Sequence, residues 1–361
     1  MKKIILFSLI IIIVIQINCI EWNLKHNINS TTTLNDEFTN LESELNYKPE
    51  ISFDLYKLDN NLFDVEFIYN LNYEYTRPEN HKFEFTSKLY RGWLRYSTTQ
   101  TEIRFGLQKM NFGPAQILRS LQWFSSINPH DPNKTTEGVK ALLARYYFIN
   151  NANIWLWGIW GDQSETSFEK FFFDENNLEF GGRFQYPFEF CEAAFTYHHR
   201  KLEDNNILEN RFGFDARWDF VIGLWIEAVA TKYSETKFAP NWEKYLTLGA
   251  DYTISIGNGI HILGEYFVYS QSESDFFESS YQSESSAVSF NYPIGLFDSA
   301  VAMMVYNWES EDWSRFVSYQ RKYDYLSIYL NLLWNSKGSN FDPEQISTDG
   351  KSVQLMVGYS F

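Results

Sequence analysis

The last eleven residues of the chain, Lys351 to Phe361, read KSVQLMVGYSF. Val353, Leu355, Val357, Tyr359 and Phe361 alternate with Ser352, Gln354, Gly358 and Ser360, and only Met356 breaks the polar set. Side chains of an extended chain point to opposite faces in turn, so this pattern predicts a strand with one apolar and one polar face. By itself such a strand also fits the edge of a soluble sandwich.

The same alternation recurs along the chain. Leu45, Tyr47, Ile51, Phe53 and Leu55 carry it, then Phe63 to Tyr75, then Phe212, Phe214, Ala216 and Trp218. Leu246 to Ile254 and Leu326 to Trp334 repeat it, and no long stretch shows a helical period. Strands of about 10 residues match a tilted crossing of a bilayer. The connections alternate too. Short turns fall near 58–61, 97–101, 149–152, 186–188, 219–220, 255–258, 292–294 and 322–323. Long polar connections fall near 76–81, 112–137, 162–176, 200–210, 232–242, 271–282, 307–312 and 335–350. Greek-key sandwiches give no reason for that rhythm, whereas membrane barrels have short turns at one rim and long loops at the other. If the last strand runs inward, counting back requires one further outward strand at the start, and Glu21–Ile28 supplies it. The expectation is an all-β, antiparallel up-and-down transmembrane barrel of about 18 strands, or about 16 if the first hairpin is irregular. A barrel that wide cannot be filled by its own side chains.

The N-terminus predicts export. Lys2 and Lys3 precede an apolar run from Ile4 to Ile15, the layout of a secretory signal peptide and too short for a spanning helix. Residues 1–19 are read as that signal and 20–361 as the barrel. Gln16 to Cys19 is a poor lipoprotein box, and the cleavage point and any lipid on Cys19 stay open. Aromatic residues make up 19% of the chain, as interfacial girdles require. Cys191 is alone beyond the leader, which rules out a disulfide framework. A formal net charge of -16 argues against nucleic acid as a partner.

A strand ending on an aromatic carboxy-terminus, here Tyr359 and Phe361, resembles the C-terminal signal of Gram-negative outer-membrane β-barrels. The resemblance implies that the barrel-assembly machinery reads this strand. It also implies residence in the cell outer membrane among lipid and lipopolysaccharide, with a homo-oligomer as an open option. Gly106-Leu107-Gln108, Gly113 and Asn128-Pro129-His130-Asp131-Pro132 resemble the G-x-Q…G…N-P-x-D pattern of porin-like and polysaccharide-export barrels.

The segment from Asn111 to Gly138 alternates least and holds Leu118, Leu121, Trp123, Phe124 and Ile127, which a solvated loop would not expose. It is expected to fold into the lumen, with 112–137 as a constriction loop similar to the third loop of general porins. Arg104, Arg145, Arg183, Arg211 and Arg217 fall on the polar parity of neighbouring strands. They are expected to form a basic ladder attracting anions, opposed by Asp131 and Glu137. Arg119, Trp123 and His130 are expected near the constriction, with Arg119 and His130 facing Arg104 and Arg145. Generic wall charge is the plainer reading, because Glu179, Asp215, Glu227, Asp251 and Glu265 sit on comparable faces. Tyr147, Trp225 and Tyr329 offer a weaker option, a stacking surface for sugars.

The six histidines show no metal-ligand spacing, and no catalytic motif, cofactor motif or phosphate loop is present in the sequence. The sequence reads as a porin-like channel for passive diffusion of small hydrophilic solutes, with a possible preference for anions, rather than an enzyme. The alternatives are polysaccharide export or surface assembly, and a surface enzyme or adhesin on a barrel scaffold.

Overall fold

The structure is a computed structural model that describes residues 21–35, 41–77, 82–125, 127–131, 135–161, 178–202, 207–234, 240–335 and 350–361. The segment read as a signal peptide, the connection at 162–176 and residues 132–134 lie outside them.

Alternation becomes eighteen strands. They are β1 Glu21–Asn35, β2 Leu41–Leu58, β3 Asn61–Arg77, β4 Lys82–Ser97, β5 Thr101–Gln108, β6 Val139–Tyr147, β7 Asn153–Ile159, β8 Glu179–Pro187 and β9 Glu192–Lys201. The second half is β10 Leu208–Asp219, β11 Gly223–Tyr233, β12 Trp242–Ile254, β13 Ile260–Ser272, β14 Tyr281–Pro293, β15 Asp298–Asn307, β16 Asp312–Lys322, β17 Leu326–Asn335 and β18 Gly350–Ser360. Each pairs antiparallel with its neighbours in sequence, and β1 pairs with both β2 and β18, so the sheet closes without an edge. This is the fold of a transmembrane β-barrel.

The apolar parity faces outward. Phe212, Phe214, Leu248 and Leu330 are exposed on the outer surface, while Arg211, Asp215, Thr247 and Asn331 beside them are buried inside. In a sandwich the burial would be reversed.

Two features depart from the sequence expectation. The first strand runs beyond the segment Glu21–Ile28 to Asn35, and closure pairs Asn27–Asn35 with Ser352–Ser360, so only the end of that segment meets β18. Strand length is also uneven. β2 has 18 residues and β7 only 7. The β4–β5 ladder covers only Gly92 to Ser97, and β5 ends at Gln108 where β6 begins at Val139. The chain therefore leaves the wall part of the way up, and the segment between these strands starts inside the barrel.

Candidate functional site

Residues 109–125, 127–131 and 135–138 lie within the barrel, and two carboxylates of the far wall hold the first of these stretches by the backbone. Glu265 on β13 accepts the amides of Gln116, Ile117 and Leu118 at 2.7, 2.9 and 2.6 Å. Glu227 on β11 accepts those of Ala115 and Leu121 at 2.9 and 3.0 Å. Five amides outside any ladder thus find carboxyl oxygens as acceptors, each such bond contributing roughly 0.5–1.5 kcal/mol. On β12, Thr247 donates to the Leu118 carbonyl at 2.7 Å and meets the Ser120 hydroxyl at 2.7 Å. Gly113 makes the approach possible. It sits at φ +92°, and a Cβ there would lie 2.2 Å from Glu227 Oε1.

Apolar packing adds to the backbone clamp. Phe112, Leu121, Trp123 and Phe124 form one buried cluster with Val139, Ala141 and Leu143 of β6, Trp157 and Ile159 of β7 and Val229 of β11. Each large side chain removed from water stabilises by about 1.5–3 kcal/mol. Phe124 stands edge-on to His198 at 5.0 Å, and His198 is fixed by Trp157 Nε1 at 3.2 Å and Glu179 at 3.0 Å. Gly213 on β10 leaves room for Leu121, whose Cδ2 would be 2.6 Å from an added Cβ. Farther along, Leu118 packs on Phe267, Ala287 and Val305, and Ile117 reaches Met303, Phe316 and Leu333. The segment spans from β6 round to β17.

The five wall arginines all point inward, and each meets a carboxylate. Arg104 and Arg145 share Glu102 at 3.3 and 3.2 Å. Arg183 grips Asp215 with two bonds of 2.6 and 2.8 Å. Arg211 bonds to Glu209, which also takes Arg200. Arg217 lies 2.9 Å from Asp219 and 3.2 Å from Asp251. The positive rungs are compensated along the wall. Asp131 and Glu137 do not oppose them: Glu137 pairs with Lys88 of β4, and Asp131 accepts the Thr135 amide at 2.9 Å. Arg119 does not face Arg104 or Arg145 either. Its guanidinium turns back to Asn111 and to the Phe112 carbonyl at 3.1 Å. Trp123 packs into the wall cluster rather than lining open space.

The returning limb, Asn128 to Asp131, divides the remaining space. On one side a cavity of about 170 Å³ is bounded by Asn29 and Thr31 of β1, Glu44, Asn46 and Lys48 of β2 and Gln354 of β18. On the other a cavity of about 230 Å³ lies against β13–β16. His130 and Asp131 border both. The His130 ring stands against Phe316 at 5.1 Å, and enclosure lowers its pKa to about 4.

Sequence reading left Glu227 and Glu265 as generic wall charges and missed Thr247, Phe316 and Ser318. Acidic residues on an inward parity carry no mark of their partner when that partner is a backbone more than a hundred residues away. The one available signal was the loop itself, whose amides needed acceptors once it was placed inside.

No protein-family model matches the sequence, and no curated protein matches it. Solved structures share the fold. Pseudomonas aeruginosa OccK5 (OpdH) aligns with 14% identity over 94% of this chain and 98% of its own, at a TM-score of 0.63. Acinetobacter baumannii OccAB1 aligns with 10% identity over 96% and 97%, at 0.59. Pseudomonas aeruginosa OccK8 (OprE) aligns with 10% identity over 94% and 98%, at 0.61.

Proposed function

We propose that the protein is an outer-membrane, porin-like channel through which small hydrophilic solutes diffuse passively. One observation carries the reading: the barrel is too wide for its own side chains to fill, and a loop clamped by Glu227 and Glu265 narrows it without filling it. Cavities of mixed polar and apolar lining persist on both sides of the returning limb. The shared fold with OccK5 and OccAB1 supports the reading. Solutes would pass the tip at Asn128–Asp131, with 112–137 as the constriction loop. The ion-paired arginines leave any anion preference to cations other than those five. The outward apolar band would meet outer-membrane lipid, and Tyr359 and Phe361 would be read by the assembly machinery.

Liposome swelling with the purified full chain tests this. Swelling in isotonic small polar solutes that slows with solute size is the expected result. Liposomes that swell no faster than protein-free ones would contradict a diffusion channel.

A further inference from the structure

The inner wall is two-sided. From β2 round to β13 it carries the ion pairs described above. From β14 to β18 the inward positions are Ser, Asn, Gln, small apolar and aromatic residues, and the only charges among them are Asp312 and Lys322, near the two ends. The larger cavity lies against this neutral wall, on the side of the loop nearer the short turns, since His261, Asn291 and Gln320 lie near the turn-proximal ends of β13, β14 and β16.

Its lining divides by chemistry. Ile117, Leu263, Val301, Met303 and Phe316 make an apolar floor. Gln116, Ser289, Asn291, Ser318 and Gln320 make a rim of amides and hydroxyls. Among the described residues no lysine or arginine lines it, Asp131 is its one carboxylate, and His130 and His261 are its imidazoles. Gln116 and Asn291 are exposed, Ile117, Ser289, Val301 and Gln320 are half-buried, and Met303, Phe316 and Ser318 are buried.

We propose that this cavity is a binding site for a neutral, polyhydroxylated ring of monosaccharide size. The inference rests on the channel reading and names its solute class. A pyranose has an apolar face of C–H groups and an equatorial belt of hydroxyls. The face lies on Ile117 and Val301, and the belt bonds to Gln320, Asn291 and Gln116. Asp131 accepts a further hydroxyl and repels carboxylates. His130, uncharged at neutral pH, gives an anion no counter-charge. The surroundings select by hydrogen bonding and shape rather than by charge.

The test is single-channel recording of the full chain in planar bilayers with D-glucose or succinate added. Glucose is expected to produce transient blocks, and succinate to produce none of comparable duration. Asn291→Ala and Gln320→Ala should each shorten the glucose block about tenfold, the change expected for 1.4 kcal/mol. Val317→Ala, on the same strand as Gln320 but facing lipid, should leave it unchanged. The open-channel current of each variant reports that it has folded, and Gln320→Ala carries the test if Asn291→Ala fails to insert. An absence of channels in the wild type would overturn the channel reading itself. Channels that glucose does not block, that succinate blocks for longer, or whose glucose block both variants leave intact would overturn the site alone.

Discussion

The Leu118 amide donates to the Glu265 carboxylate at 2.6 Å, joining residues 147 positions apart across the lumen. That contact sits at the centre of a clamp in which Glu265 also takes Gln116 and Ile117. Replacing Glu265 by Ala should leave three amides without acceptors. Three hydrogen bonds of roughly 0.5–1.5 kcal/mol each imply faster amide exchange at Gln116–Leu118 by about tenfold or more, with the strand amides of β13 unchanged. Exchange measured by mass spectrometry on the reconstituted barrel checks this. Unaltered protection would assign the loop's position to the Glu227 and Thr247 bonds and the apolar packing, without Glu265.

Closure of the barrel has its own lock. His26 and Phe361 exchange two backbone hydrogen bonds of 2.8 and 3.0 Å, and their rings stack at 4.8 Å. Deleting Phe361 removes both bonds and the stack at the seam between the first and last strands. The truncated chain should insert into membranes in lower yield, measured as the heat-modifiable fraction on gels. Normal yield would show that the seam closes without it.

Arg183 and Asp215 are buried, with side chains 4% and 8% exposed. Asp215→Asn should destabilise the barrel by about 3–5 kcal/mol, because it strands a buried guanidinium. Thermal unfolding in detergent reads this directly. A loss below 1 kcal/mol would mean that water reaches the pair.

His130 should stay neutral over the usual working range. Its pKa of about 4 lies below the ordinary value of 6.5, so the folded state prefers the uncharged ring. Protonation therefore costs loop stability progressively as pH falls from 6.5 towards 4, and none above it. Ion selectivity of the wild type and of His130→Gln should coincide at pH 7.5. Excess current noise should appear in the wild type alone near pH 4. A difference between the two that titrates near 6.5 would contradict the enclosure of this ring.

Much of the architecture was legible in the residues. The outward set of Phe212, Phe214 and Leu330 follows from alternation, because a strand in a barrel wall separates lipid from water at every second residue. The strand number follows from parity and the rhythm of the connections. The apolar content of Leu118, Leu121 and Trp123 pointed the long segment inward. Register was not legible: β1 meets β18 through Asn27–Asn35, and nothing in Ser30–Thr33 distinguishes this pairing from a shifted one. The electrostatics of the lumen was legible only in part. Arg183 has its partner Asp215 two strands away, where no sequence spacing marks it, whereas Glu102, Glu209 and Asp219 stand two residues from Arg104, Arg211 and Arg217 on one face and were within reach of the alternation.

The loop's hold on the lumen is tested most directly by single-channel conductance of the wild type and of a chain lacking Leu118–Lys134. The deletion removes the Leu118 and Leu121 anchors along with Trp123, Phe124 and the tip at His130, while the wall strands remain. Higher conductance with normal insertion is the predicted result. Unchanged conductance in a folded barrel would contradict it, because ions would then pass by a route that the loop does not narrow.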